Sequence, residues 1–124
     1  MKRDMDLVRS ILLQVEERSG PSMEELLPAD RSVEELERYA HHTRILIDAG
    51  FLTGIDASSM DGPDWLDLQL SWPGHEFLST LRDPTVWQRA KGVAEKAGGA
   101  SFQVLLEVGK AIIIEAAKGI VKLP

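Results

Sequence analysis

The chain contains no cysteine, which excludes a disulfide framework and any thiolate metal site. It also lacks a secretory signal pattern. Lys2, Arg3, Asp4 and Asp6 stand near the start, and no apolar run with a small-residue cleavage site follows them. The most apolar stretch, residues 102–123, is interrupted by Glu107, Lys110, Glu115, Lys118 and Lys122, whereas a membrane-spanning helix needs about 20 nearly uncharged residues. There is no internal repeat and no low-complexity tract. These absences set the expectation of a soluble, cytoplasmic protein with no membrane association.

Recognisable catalytic and metal-binding patterns are missing too. Of the three histidines, His41 and His42 are helix neighbours whose side chains diverge by about 100°. A metal site on one helix prefers i, i+4 spacing, and His75-Glu76 has no second histidine in that position. His75 is expected to be half-buried and hydrogen-bonded to the backbone. Asp61, Asp64 and Asp67 do not follow the calcium-loop pattern and read as a solvated acidic loop. Gly98-Gly99 precedes a helix but follows another helix rather than a strand, so the phosphate-cradling geometry is absent. No nucleophile–base pair can be assembled from the spacing. The expectation is a protein that is not an enzyme and carries no cofactor and no metal.

What is present is enough apolar residue for one core, 44% of 124 residues, and an uneven distribution of charge. The net charge of −6 divides into 0 over residues 1–20, −4 over 21–50, −4 over 51–82 and +2 over 83–124. An acidic middle repels phosphate backbones at long range.

Periodicity outlines the fold. Leu7, Val8, Ile11, Leu12 and Val15 recur at helical spacing behind a capping Asp4 and predict a helix over 4–18, stopped by Gly20 and Pro21. A single helical turn over 22–27 follows. Ser32 and Glu35 form a capping-box spacing that opens a helix over 33–49, with Leu36, Ala40, Thr43, Leu46 and Ile47 on one face and Gly50 at its end. Residues 51–55 and 66–72 predict the two strands of a hairpin. In the second strand Leu66, Leu68, Leu70 and Trp72 alternate with Asp67, Gln69 and Ser71 and are expected to face inward, leaving Trp65 exposed. A short helix over 74–82 and a helix starting at Pro84 and ending at Gly98-Gly99 come next. Ser101 caps a last helix running to about residue 121. The class is mostly α with a small β-hairpin (α+β): a winged-helix-like core over 1–82, and a C-terminal helical extension over 83–124 packed on it as one structural domain.

Three stretches carry a further signal: the start Met1-Lys2-Arg3-Asp4-Met5-Asp6-Leu7-Val8-Arg9; Tyr39-Ala40-His41-His42 continuing to Leu46-Ile47-Asp48-Ala49-Gly50-Phe51-Leu52; and Leu70-Ser71-Trp72-Pro73-Gly74-His75-Glu76-Phe77-Leu78 followed by Arg82-Asp83 and Val86-Trp87. Together they resemble domain-of-unknown-function family 2513, a group of uncharacterised bacterial and prophage proteins. The resemblance implies a winged-helix-like fold and an origin in prophages or mobile elements. It implies no catalytic residues and assigns no activity.

The last helix is the least ordinary element, because its apolar residues wrap beyond the stripe of about 100° that a surface helix needs. Either it lies deep against its own domain, or it also pairs with a protein partner or a second copy as a homodimer. On the second reading Leu106, Ile113 and Ala117 line the interface, with Trp65 as a further anchor and Gly109, Ala116, Ala117 and Gly119 permitting close approach. The alternative function is a DNA-binding transcriptional regulator. It would use Arg38, His41, His42 and Arg44 on the helix preceding the hairpin, against Glu34, Glu35, Glu37 and Asp48 on the same helix. The balance of charge favours the protein-binding module.

Overall fold

The computed structural model describes residues 2–99 and 101–121. The elements are α1 (Met5–Glu17), α2 (Met23–Leu26), α3 (Val33–Asp48), β1 (Leu52–Asp56), β2 (Trp65–Leu70), α4 (Trp72–Leu81), α5 (Pro84–Lys96) and α6 (Phe102–Val121). The protein is mostly helical with one two-stranded antiparallel sheet. It divides into two compact units, Met1–His75 and Glu76–Pro124, with the boundary inside α4.

In the first unit, α1 starts at Asp4, whose carboxylate accepts the backbone N–H groups of Asp6 and Leu7 at 3.0 and 3.2 Å. These are donors that a helix start otherwise leaves unsatisfied. Leu7, Val8, Ile11, Leu12 and Val15 are buried, as their spacing predicts. Ser22 and Ser32 cap α2 and α3 in the same way. α3 buries Tyr39, His42, Thr43 and Leu46, positions i, i+3, i+4 and i+7 of one helical face. Helix α1 packs on α2, α3 and β2, and α3 packs on β1.

The hairpin departs from strict alternation. Leu52 pairs with Leu70 and Thr53 with Gln69, but Ile55 pairs with Leu66 and Asp56 with Trp65, so the register slips between Thr53 and Ile55. Asp67 adopts φ +49°, the left-handed region that L-residues seldom visit. The slip is a β-bulge, and it turns part of β2 over. Trp65 and Leu68 are buried, Leu66 is exposed, and Leu70 is half-buried. The inward register expected for Leu66, Leu68, Leu70 and Trp72 therefore holds fully only at Leu68. Trp65, expected outside, is inside. Trp72 is not in the strand at all; it opens α4 and is 75% exposed.

The strand-to-helix junction explains the Leu70-Ser71-Trp72-Pro73-Gly74 stretch. Ser71 Oγ donates to the Gly50 carbonyl and accepts the Gly74 N–H at 3.1 Å, while the Ser71 N–H donates to the Phe51 carbonyl at 3.1 Å. A Cβ on Gly74 would sit 2.1 Å from that same Phe51 oxygen. Glycine is required there so that the first turn of α4 can lie directly on the backbone leaving α3.

In the second unit α5 packs on α6. Asp83 caps α5 and Ser101 caps α6. Trp87, Ala90 and Ala94 of α5 and Leu105 of α6 are buried. Phe77 and Phe102 meet edge to face at 5.8 Å. Gly109 is buried, and a Cβ there would come within 2.6 Å of a Leu81 methyl carbon. Its small size serves this intramolecular contact and not an approach to another subunit.

Candidate functional site

The most developed polar constellation joins the start of α1 to α3. The Asp4 carboxylate, besides capping α1, forms an ion pair with Arg38, whose guanidinium also lies 3.7 Å from Glu35. The Asp4 N–H donates to Nε2 of the fully buried His42 at 2.8 Å, and His42 Nδ1 lies 2.8 Å from the Arg38 carbonyl oxygen. Since Nε2 must accept, Nδ1 carries the proton and donates, which fixes one neutral tautomer. Burial holds the imidazole below its ordinary titration range; the carbonyl bond and the Asp4 charge oppose this, while His41 and Arg38 reinforce it. The constellation ties two helices together and leaves no lone pair on His42 for a substrate or ion.

The clefts among the described residues of the first unit include a pair of about 340 Å³ each. One is lined by Met23, Leu27, Leu36, Ala57 and Pro63 with Glu24, Arg31, Asp61 and Asp64 among them. Arg31 is paired with Glu24 at 3.3 Å, Asp64 accepts the Trp65 N–H at 2.8 Å, and Ser59 Oγ accepts the Asp61 N–H at 3.2 Å. The ionisable groups on its lining are Glu24, Arg31, Asp61 and Asp64. The other cleft lies between the end of α1 and β2, with Glu16, Arg18, Asp67, Gln69 and His75 on its walls. His75 is exposed, not half-buried as its surroundings suggested. Among the described residues no group of three or more His, Asp or Glu side chains is placed to hold a metal ion. Among them, too, no helix is long and apolar enough to cross a membrane. Outside the clefts, Asp56 accepts the Ser58 N–H at 2.9 Å, and bonding from Ser58 holds its carboxyl below the usual range.

Each residue singled out from the sequence now has a place. Of the four DNA-contact candidates, His42 is buried and bonded on both nitrogens, so it is not a surface contact. Arg38 is engaged by Asp4 and Glu35. Arg44 pairs with Asp48 at 3.3 Å and lies 6.0 Å from the Trp65 ring centre. His41 is half-buried with its ring against His42. Trp65 is buried and cannot act as a surface anchor. Leu106, Ile113 and Ala117 all lie on α6: Leu106 is half-buried, Ile113 is 40% exposed and Ala117 is exposed. Beyond Ile112 the described side chains of α6, from Ile113 to Gly119, are all exposed, Ile114 at 54%. The burial of His42 has a signal in the sequence, since it falls on the same helical face as Tyr39, Thr43 and Leu46.

Comparison with known proteins gives two matches. Residues 2–100 fit the model of a family described as "Hypothetical protein (DUF2513)". An "Uncharacterized protein" of Haemophilus influenzae is 35% identical over 114 residues, which span 91% of this chain and 96% of that relative. No solved structure matches.

Proposed function

The chain belongs to the DUF2513 family, and from that premise we propose that it is a non-catalytic, winged-helix-like protein-interaction module that pairs with a second copy of itself through α6. The observation that carries the reading is the exposed apolar end of that helix. At about 100° per residue, Leu106, Ile113 and Ala117 fall within about 40° of one another on one stripe. An antiparallel pairing centred between Ile112 and Ile113 sets Glu107 of each copy opposite Lys118 of the other, on the same flank of that stripe. Both are exposed on α6, so the register is complementary in charge as well as apolar.

The energetics point to a modest complex. Fully burying an Ile or Leu side chain contributes roughly 1.5–3 kcal/mol, but Leu106 is already half-buried and Ile113 is only 40% exposed. Two copies together gain a few kcal/mol from these four side chains, with flanking apolar residues adding to it. Association entropy opposes this with at least about 4 kcal/mol. The expected affinity is micromolar at best. Light scattering of the full chain across that range tests the reading, with Ile113→Glu as the disrupting variant. A mass that stays at 13.7 kDa at every concentration rejects it.

The winged-helix part of the reading rests on element order, with α3 feeding through Gly50 into the β1–β2 hairpin. The same order supports a second reading, a DNA-binding regulator. Against it stand the pairing of Arg38 and Arg44, the burial of His42, and a summed charge of −8 over residues 21–82, from −4 over 21–50 and −4 over 51–82. A prophage or mobile-element origin and a cytoplasmic location complete the proposal. The first comes from the family resemblance and the second from the lack of cysteine.

A further inference from the structure

We propose that the bond between His42 and the backbone of Asp4 is a pH-operated latch: at neutral pH it holds the start of α1 against α3, and protonation of His42 opens it. The geometry allows the ring one arrangement. Nδ1–H donates to the Arg38 carbonyl and Nε2 accepts the Asp4 N–H, each at 2.8 Å. A second proton has only Nε2 to occupy, and there it would confront the Asp4 N–H, donor against donor. The ring cannot turn over to escape, because its other nitrogen would then meet the same conflict. The Asp4 amide must leave, or the proton must stay off.

The charged and titratable groups facing the ring are His41 and Arg38 on α3 and Asp4 at the start of α1. The first two oppose an imidazolium, and the Asp4 carboxylate favours it. That carboxylate is already shared between the Arg38 guanidinium and the Asp6 and Leu7 N–H groups. The ion pair is partly exposed on both sides, so water screens it. It is therefore a weak second tether once the His42 bond is lost. Opening releases the Asp4 N–H from α3 without requiring the buried face of α1 to leave the core. The device is independent of any pairing through α6.

Nuclear magnetic resonance on the full chain tests this from pH 8 to pH 5. His42 should appear as the Nδ1–H tautomer at neutral pH, and its titration midpoint should lie below the ordinary value near 6.5. Hydrogen-exchange protection of the Asp4 amide, corrected for intrinsic exchange, should fall by about tenfold per pH unit below that value, the slope for one linked proton. The Leu105 amide, which is bonded to Ser101, should keep its protection. In His42→Gln, which offers an acceptor and does not titrate, the Asp4 dependence should flatten. An Nε2–H tautomer, or Asp4 protection that does not change with pH in the natural chain, overturns the proposal even if the variant fails to fold.

Discussion

Replacing Gly74 by alanine should destabilise the protein more than any other single methyl group added to a helix here. The new Cβ would lie 2.1 Å from the Phe51 carbonyl oxygen and 3.0 Å from its carbonyl carbon. Both are backbone atoms, so no rotamer change relieves the overlap. Moving Phe51 breaks the Ser71 N–H bond to its carbonyl; moving α4 breaks the Ser71 cap on Gly74. Overpacking costs about 1–3 kcal/mol and one lost hydrogen bond about 1 kcal/mol, while alanine regains about 1 kcal/mol of helix propensity. The net expectation is a loss of about 1–3 kcal/mol, or a fall in Tm of about 4–12 °C at roughly 4 °C per kcal/mol for a chain of this size. Gly92→Ala is the matched control. It lies inside α5 with nothing within 4 Å of the added Cβ, and should gain about 0.5–1 kcal/mol. Thermal unfolding by circular dichroism measures both. If Gly74→Ala unfolds no lower than the natural chain, the close approach of α4 to Phe51 is wrong.

Three further outcomes follow from named contacts. Gly20→Ala should lower stability by about 1–2 kcal/mol in urea titration, since Gly20 has φ +58° and its Cβ would meet Asp67 Oδ1 at 2.4 Å; an unchanged midpoint contradicts this. Thr43→Val should be neutral or stabilising by about 1 kcal/mol, because the buried Thr43 Oγ1 has no hydrogen-bond partner among the described residues; a large loss would show that the hydroxyl is satisfied. His42 titrates below its ordinary range in the fold, so the unfolded chain takes up its proton first as pH drops. The stability His42 contributes is therefore complete above about pH 6.5 and is lost as pH falls from there towards the depressed folded value. Unfolding midpoints measured against pH should show this loss in the natural chain and not in His42→Gln.

The helices were legible because each carries its start signal and its stripe. Asp4, Ser32, Asp83 and Ser101 cap where the sequence places caps, and the apolar stripe of α1 is the buried one. The hairpin was legible as two strands but not in register. Leu66, Leu68 and Leu70 alternate without interruption, and period alone has no term for a residue at φ +49° such as Asp67, which breaks the alternation. Trp72 was drawn into the strand by the same period, although Ser71 before it and Pro73 after it mark a helix start. Trp65 and Leu68 share the inner side only because of the bulge. For the polar constellation, the sequence showed Asp4 as a cap and Arg38 as a cation. It could not show that residues 34 and 38 positions apart meet, because that depends on how α1 and α3 pack.

The central claim is that α6 pairs with α6 of a second copy, and the absence of cysteine makes a direct measurement simple. A single thiol introduced by Ile113→Cys lies at the centre of the antiparallel register, while one introduced by Val93→Cys lies on α5 at an equally exposed position, 47% against 40%. Both variants are oxidised at micromolar concentration and the products separated under non-reducing conditions. The account predicts rapid formation of a covalent dimer through position 113 and little through position 93. Equal, slow cross-linking at both positions would contradict it.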